Sequence, residues 1–364
     1  MLIERGTIMI ELKVSVSEVQ EGMKASKDVV SEEGIFLMPK DTVISKNHIL
    51  KLQLYQMSHI TIYEKPIEPI YVAPKEDKPS VTQTSEFKNF SSKYAAGVNA
   101  IEKEFSTMVQ LGKVDSESLS SIVDEFIHET SNNHLFSYLC RIQSNDDGTF
   151  SHCMNVSILA TILGKWLHLD QDSIMNLSVA GLLHDIGKTQ LDPKILNKKG
   201  VLTKDEFEHI KTHTTLGYKL VADAPLDDGI KQAVLMHHEK MNGTGYPLNL
   251  TWNKIHMYAK IISIVDIYDA ITSDRPYHER FHPFTAIKIL EEEYYGVLET
   301  DYLYVFLENI AHNFLGNDIL LSTGEEAKII FINPQSPSHP MVQTKSSKFI
   351  DLLSYDFITI DKFL

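Results

Sequence analysis

The sequence predicts a mostly α-helical protein: a helical bundle preceded by a small β-rich module and followed by a short β-containing tail. Three observations carry this reading. From Phe87 onward, apolar residues recur with helical periodicity in successive segments broken by short turns. Ahead of that point, residues 10–63 alternate short apolar runs with turn residues, the pattern of short strands. Between the two lies EKPIEPIYVAPKEDKPS, which gathers Pro66, Pro69, Pro74 and Pro79 among charges. Such a stretch cannot bury enough apolar surface to offset its ordering entropy and reads as an extended linker.

Each element follows in order. In an N-terminal module over 1–64, ELKVSV, GIFLMP, DTVIS and HITIYE are expected as strands, with one helix over Ser45–Met57. The linker is expected over 65–86. Helices are expected over 87–112, 115–130, 133–143, 150–168, 171–188, 204–223, 227–239, 254–273, 283–293 and 300–314. They would form one helical domain over 87–315. The acidic run Glu291–Glu293 reads as a solvated helix face. In the tail, 316–364, AKIIFINP and FITIDKFL read as strands around the Pro-rich NPQSPSHP, a small sheet packed on the helical domain.

Composition narrows the function. A net charge of −15 argues against a nucleic-acid polymer as partner, because phosphate backbones attract basic surfaces. It leaves room for a small anion held locally by metal ions. Cys140 and Cys153 make no disulfide framework and suit a reducing compartment. No apolar run has the length of a membrane span, and charges interrupt the N-terminus where a signal peptide would be apolar. The protein is therefore expected in the cytoplasm.

Histidine is concentrated: eight of the 16 fall between His184 and His282. In GLLHDIGK, His184 and Asp185 stand side by side in what reads as an apolar helix, with Lys188 one turn on. His237 and His238 follow the apolar QAVLM and precede a glycine-rich loop. YAKIISIVDIYDAIT places Asp266 and Asp269 on the same stripe as Ala259 and Ile262. A buried carboxylate without a cation costs several kcal/mol, so this helix points toward a metal. His152 opens another apolar helix, and His209 and His213 lie a turn apart. Taken singly, each reads equally as a satisfied core residue or a solvated side chain. The ordered set, drawn from five helical segments, does not.

With HDIGK at 184–188, HHE at 237–239, GTGYP at 243–247 and TSDRPY at 272–277, the sequence resembles HD-domain phosphohydrolases, and within them the HD-GYP subgroup. The resemblance covers roughly residues 87–315 and implies an HD-type helical bundle. It implies metal ligands at His152, His184, Asp185, His213, His237, His238 and Asp266, with Asp185 bridging two metals. It implies catalytic roles for Asp185 and Lys188, the lysine lying near the scissile phosphate. Gly245, Tyr246 and Pro247 would shape the substrate pocket, and Arg275 would contact a substrate phosphate. His278 stands where the family often has a stronger base, which weakens a second cationic contact. His209 and Asp269 are candidates to orient ligand imidazoles. The implied activity is hydrolysis of cyclic di-GMP to linear pGpG or GMP, with iron or, next, manganese as the two divalent metals. A hydroxide held between them would attack phosphorus in line.

Three-metal members of the family carry a Glu one turn before the first histidine, where this chain has Gly148. Two metals are therefore expected, with Asp146 or Asp147 able to compensate. Two other readings stand beside this one: hydrolysis of another cyclic dinucleotide, and a weakly active sensor that passes the signal to a protein partner. A homodimer is compatible with each.

Overall fold

The computed structural model describes residues 84–128, 132–142, 148–198, 200–273, 281–355 and 357–364, together with 11–16, 19–20, 22–30, 36–40, 42, 44, 48–49, 52 and 57–63. The chain forms two compact units, Met1–Glu76 and Asp77–Leu364.

In the first unit, β1 (Glu11–Ser15), β5 (His59–Tyr63) and β2 (Lys24–Ala25) form an antiparallel sheet in the order β1-β5-β2. β3 (Val29–Val30) and β4 (Phe36–Met38) form a hairpin. Period-2 alternation turns Ile60 and Ile62 inward to meet Val14, Ala25 and Leu37. Of the expected DTVIS strand only Thr42 and Ile44 lie within the described residues, and neither is in a strand. Thr42 and Ile44 are tied in by backbone hydrogen bonds, Ala25 N to Thr42 O at 2.9 Å, Ile44 N to Met23 O at 2.7 Å and Gly22 N to Ile44 O at 2.8 Å. Most of the helix expected over Ser45–Met57 lies outside the described residues, as does the linker up to residue 83.

The second unit opens with α1 (Ser85–Leu111), two residues before the expected start. Thr84 caps it, accepting from Phe87 N, and Gly112 ends it in the left-handed conformation. α2 (Ser116–Ile127) and α3 (Asn132–Ile142) follow. α4 (Thr149–Trp166) is buried on every side from Ser151 to Gly164, and so runs through the centre of the bundle. α5 (Gln171–Leu183) and α10 (Met257–Thr272) pack against it, with α9 (Asp228–Met236) against both of these. α6 (Pro193–Leu196), α7 (Lys204–Lys211), α8 (His213–Val221), α11 (Pro283–Tyr294) and α12 (Thr300–His312) complete the set. No helix among the described residues is long and apolar enough to cross a membrane.

Two expected helices are broken, and both breaks matter. The helix foreseen over 171–188 stops at Leu183, and a 3₁₀ turn runs from Ile186 to Gln190. Gly187 explains the change: a Cβ there would run into the His213 carbonyl and lie 2.5 Å from Gly217 N, so this backbone packs directly on α8. The helix foreseen over 204–223 divides at Thr212, whose hydroxyl donates to His209 O at 2.6 Å and competes with helical pairing.

In the tail, β6 (Asp318–Leu321), β7 (Glu326–Phe331), β8 (Met341–Thr344), β9 (Phe349–Asp351) and β10 (Ile360–Phe363) form an antiparallel sheet in the order β10-β6-β7-β8-β9. Ile319, Ile329, Val342 and Ile350 join the same apolar core as the helices. Glu291 is not a free solvated charge. Ser338 N donates to its carboxylate at 3.3 Å and the Ser338 hydroxyl donates as well, pinning the NPQSPSHP segment to α11.

Candidate metal centre

The breaks in the helices place the histidines. His152 sits in the first turn of α4; His184 and Asp185 lie between α5 and the 3₁₀ turn. His213 begins α8, His237 and His238 follow α9, and Asp266 and Asp269 project from α10. Backbone carbonyls free at helix ends are hydrogen-bond acceptors. Nδ1 of His184 donates to Gly181 O at 2.8 Å, Nδ1 of His213 to Ile210 O at 2.8 Å and Nδ1 of His237 to Val234 O at 3.0 Å. His152 is oriented differently: its Nδ1 donates to Asp269 Oδ2 at 2.6 Å.

A neutral imidazole with its proton on Nδ1 has a bare lone pair on Nε2. His213 Nε2 and His237 Nε2 are 3.2 Å apart, two lone pairs facing each other with no proton to share. His184 Nε2 and Asp185 Oδ1 are buried without a hydrogen-bond partner among the described residues. Buried unpaired acceptors are costly, and metal cations held among them would satisfy them. The donor set therefore fits a metal.

The carboxylates divide the site in two. Asp185 Oδ2 lies 3.5 Å from His152 Nε2 and 3.3 Å from His184 Nε2. Its other oxygen, Oδ1, lies 3.4 Å from His213 Nε2 and 3.9 Å from His237 Nε2. Asp266 Oδ1 is 3.1 Å from His152 Nε2, and its Oδ2 is 4.0 Å from His238 Nδ1. Three ligand clusters result: His152, His184 and Asp266; His213, His237 and His238; and His184, Asp185 and His237. Within each, the ligand atoms lie within 4.8 Å of one another. All seven expected ligands are thus brought together, with Asp185 facing both outer groups.

Charge follows environment. Burial pushes His213 and His237 down and carries His238 to about 3, leaving three neutral imidazoles at physiological pH. Burial opposes charge on His152 too, but Asp266 and Asp269 overcome it and raise this group to about 9. Burial alone would raise Asp185, yet Lys188 and His184 hold it well below the carboxylate range. Lys188 Nζ donates to Asp185 Oδ2 at 2.5 Å, and that carboxylate raises the lysine in turn.

The GTGYP loop closes over this group. The Tyr246 ring lies 4.7 Å from the His238 ring, and burial raises its hydroxyl, so it acts as a wall and not an acid. Pro247 is half-buried beside it. At Gly245 a Cβ would sit 2.5 Å from Glu239 Cα and from His238 O, which only glycine avoids. Glu239, the last residue of HHE, has a role that the motif does not reveal: it holds the loop. Its buried carboxylate accepts from Leu248 N at 2.6 Å and Leu250 N at 2.8 Å. His209 departs from expectation. Its Nε2 is buried without a hydrogen-bond partner among the described residues, and its ring orients no ligand imidazole; backbone carbonyls take that part. Arg275, His278, Asp146 and Asp147 lie outside the described residues. Gly148, the N-cap of α4, supplies no side chain.

Residues 125–295, which hold every one of these ligands, match the family profile of the HD domain. Over this stretch the chain is similar to the HD domain. Relatives of this HD domain include the cyclic di-GMP phosphodiesterase PA4108 of Pseudomonas aeruginosa, 36% identical over 49% of this chain and 44% of that protein. The cyclic di-GMP phosphodiesterase PdeB of Borreliella burgdorferi is 31% identical over 55% of this chain and 53% of that protein. The 3'3'-cGAMP-specific phosphodiesterase 3 of Vibrio cholerae is 28% identical over 42% of this chain and 33% of that protein. The chain thus spans about half the length, or less, of these curated relatives. The HDIGK, HHE and GTGYP motifs of the HD domain agree with the HD-GYP subgroup.

Proposed function

We propose that the protein hydrolyses a phosphodiester bond of cyclic di-GMP, releasing linear pGpG or GMP, at a centre of two divalent metals. The observation that carries this reading is the placement of Asp185, whose two oxygens turn toward separate histidine groups. His152, His184 and Asp266 would hold one metal; His213, His237 and His238 would hold the other; Asp185 would join them. Mixed imidazole and carboxylate ligands suit iron or manganese. Gly148 at the head of α4 supports two metals and not three. Bound metals supply Lewis acidity and an activated water for attack on phosphorus.

The chain's own residues do the rest. Lys188 carries a fixed positive charge to the edge of Asp185, where it can neutralise charge developing on the phosphate oxygens. Asp269 and the helix-end carbonyls hold the imidazole tautomers with Nε2 inward. Tyr246, set by Gly245 and Glu239, walls the pocket and limits the entry of bulk water.

Relatives named as 3'3'-cGAMP-specific phosphodiesterases support a second reading, the same reaction on a mixed cyclic dinucleotide. One experiment tests both: metal analysis of anaerobically purified protein, with product identification from cyclic di-GMP and 3'3'-cGAMP. Faster turnover of cyclic di-GMP supports the first reading and faster turnover of 3'3'-cGAMP the second. Full activity in metal-depleted protein refutes both.

A further inference from the structure

We propose that Lys211 is a substrate-positioning residue that holds the second, non-reacting phosphate of a cyclic dinucleotide; this rests on the function proposed above. Such a substrate carries two phosphodiesters on one ring, and only one can lie at the metals. The other reaches the rim of the site still charged, against a protein of net charge −15. A cation at the rim is needed to receive it.

Lys211 is the last residue of α7, two before the ligand His213. Its Nζ lies 5.5 Å from the centroid of the Tyr246 ring, which in turn packs on His238. Lys188 stands inside the centre at Asp185; Lys211 stands outside, beside the loop. Its present partner is weakly held. Lys211 Nζ donates to Glu208 Oε1 at 2.7 Å, but the Glu208 side chain is 56% exposed. An exposed pair of this kind contributes little, and a phosphate is a better acceptor for the ammonium. The aromatic neighbour fits a nucleotide as well. Lys211 Nζ lies 5.0 Å from the ring centroid of Phe207, a residue 48% exposed and open to stacking by a base.

The test compares Lys211→Gln with wild type in the manganese-loaded holoenzyme on two substrates, cyclic di-GMP and bis(p-nitrophenyl) phosphate, which has one phosphate. For the cyclic dinucleotide, KM should rise about tenfold, the effect of one charge-assisted hydrogen bond, with kcat within about twofold. Kinetics on bis(p-nitrophenyl) phosphate should not change, and Lys211→Arg should restore most of the lost KM. Unchanged KM for cyclic di-GMP overturns the proposal. Equal losses on both substrates also overturn it, since they mark a structural effect. Wild-type protein that cleaves bis(p-nitrophenyl) phosphate but no cyclic dinucleotide refutes the proposed function itself, and does so without the variant.

Discussion

Replacing Asp269 should weaken metal binding in two steps. Asp269 is fully buried and accepts from His152 Nδ1 at 2.6 Å, so the bond is charge-assisted and shielded from water. Bonds of this kind contribute about 1.5–3 kcal/mol, against about 0.5–1.5 kcal/mol for neutral pairs. Asn keeps a neutral acceptor for Nδ1 and loses the difference, about 1.4 kcal/mol, or tenfold in affinity. Ala removes the acceptor, frees the ring to turn, and should approach a hundredfold loss, the upper range for partners that orient metal ligands. The assay is competition for Mn²⁺ between metal-free protein and a chelator near neutral pH, with circular dichroism as the control for folding. Affinities within about twofold of wild type for both variants, in folded protein, would refute the claim that Asp269 sets the His152 ligand.

Asp185→Ala should abolish hydrolysis and lower metal content, because both outer histidine groups lose the carboxylate that faces them; elemental analysis and turnover check this together. Glu239→Gln should raise KM about tenfold with metal content unchanged, since its amide would turn a donor toward Leu248 N or Leu250 N and release the loop. In metal-free protein, stability should peak near the unfolded histidine pKa. His152 is raised to about 9, so its contribution is complete below about 6.5 and is lost as pH climbs through about 9. His213, His237 and His238 are depressed, so stability also falls as pH drops below about 6.5. Thermal melts in chelator across this range should give a maximum; a Tm that rises steadily to pH 9 would contradict the assignment of His152.

Much of the helical domain was legible because its helices bury continuous apolar faces, and a 3.6-residue period survives in the sequence wherever burial is uniform. The breaks at Asp185 and Thr212 were not legible. They depend on Gly187 meeting the backbone of α8 and on a hydroxyl competing for a carbonyl, contacts that no periodicity records. The tail strands 318–321, 341–344 and 349–351 are four residues long or shorter, too brief for alternation to stand out. At the site, residue types and order pointed to a metal, but the sequence could not say which ring nitrogen faces inward. It also could not show that Glu239 clamps the GTGYP loop, because Leu248 and Leu250 reach its carboxylate only through the turn at Gly245.

The sequence by itself determined the fold class and the donor inventory: helical periodicity states what is buried, and imidazole with carboxylate states which chemistry the buried groups can perform. Only the tertiary structure decided their arrangement. Helices that end one or two residues before His184, His213 and His237 free carbonyls to fix each Nδ1, and packing then aims the Nε2 lone pairs at Asp185 from both sides. That convergence is a property of helix ends meeting in space, set by backbone geometry and close packing between segments distant in the chain.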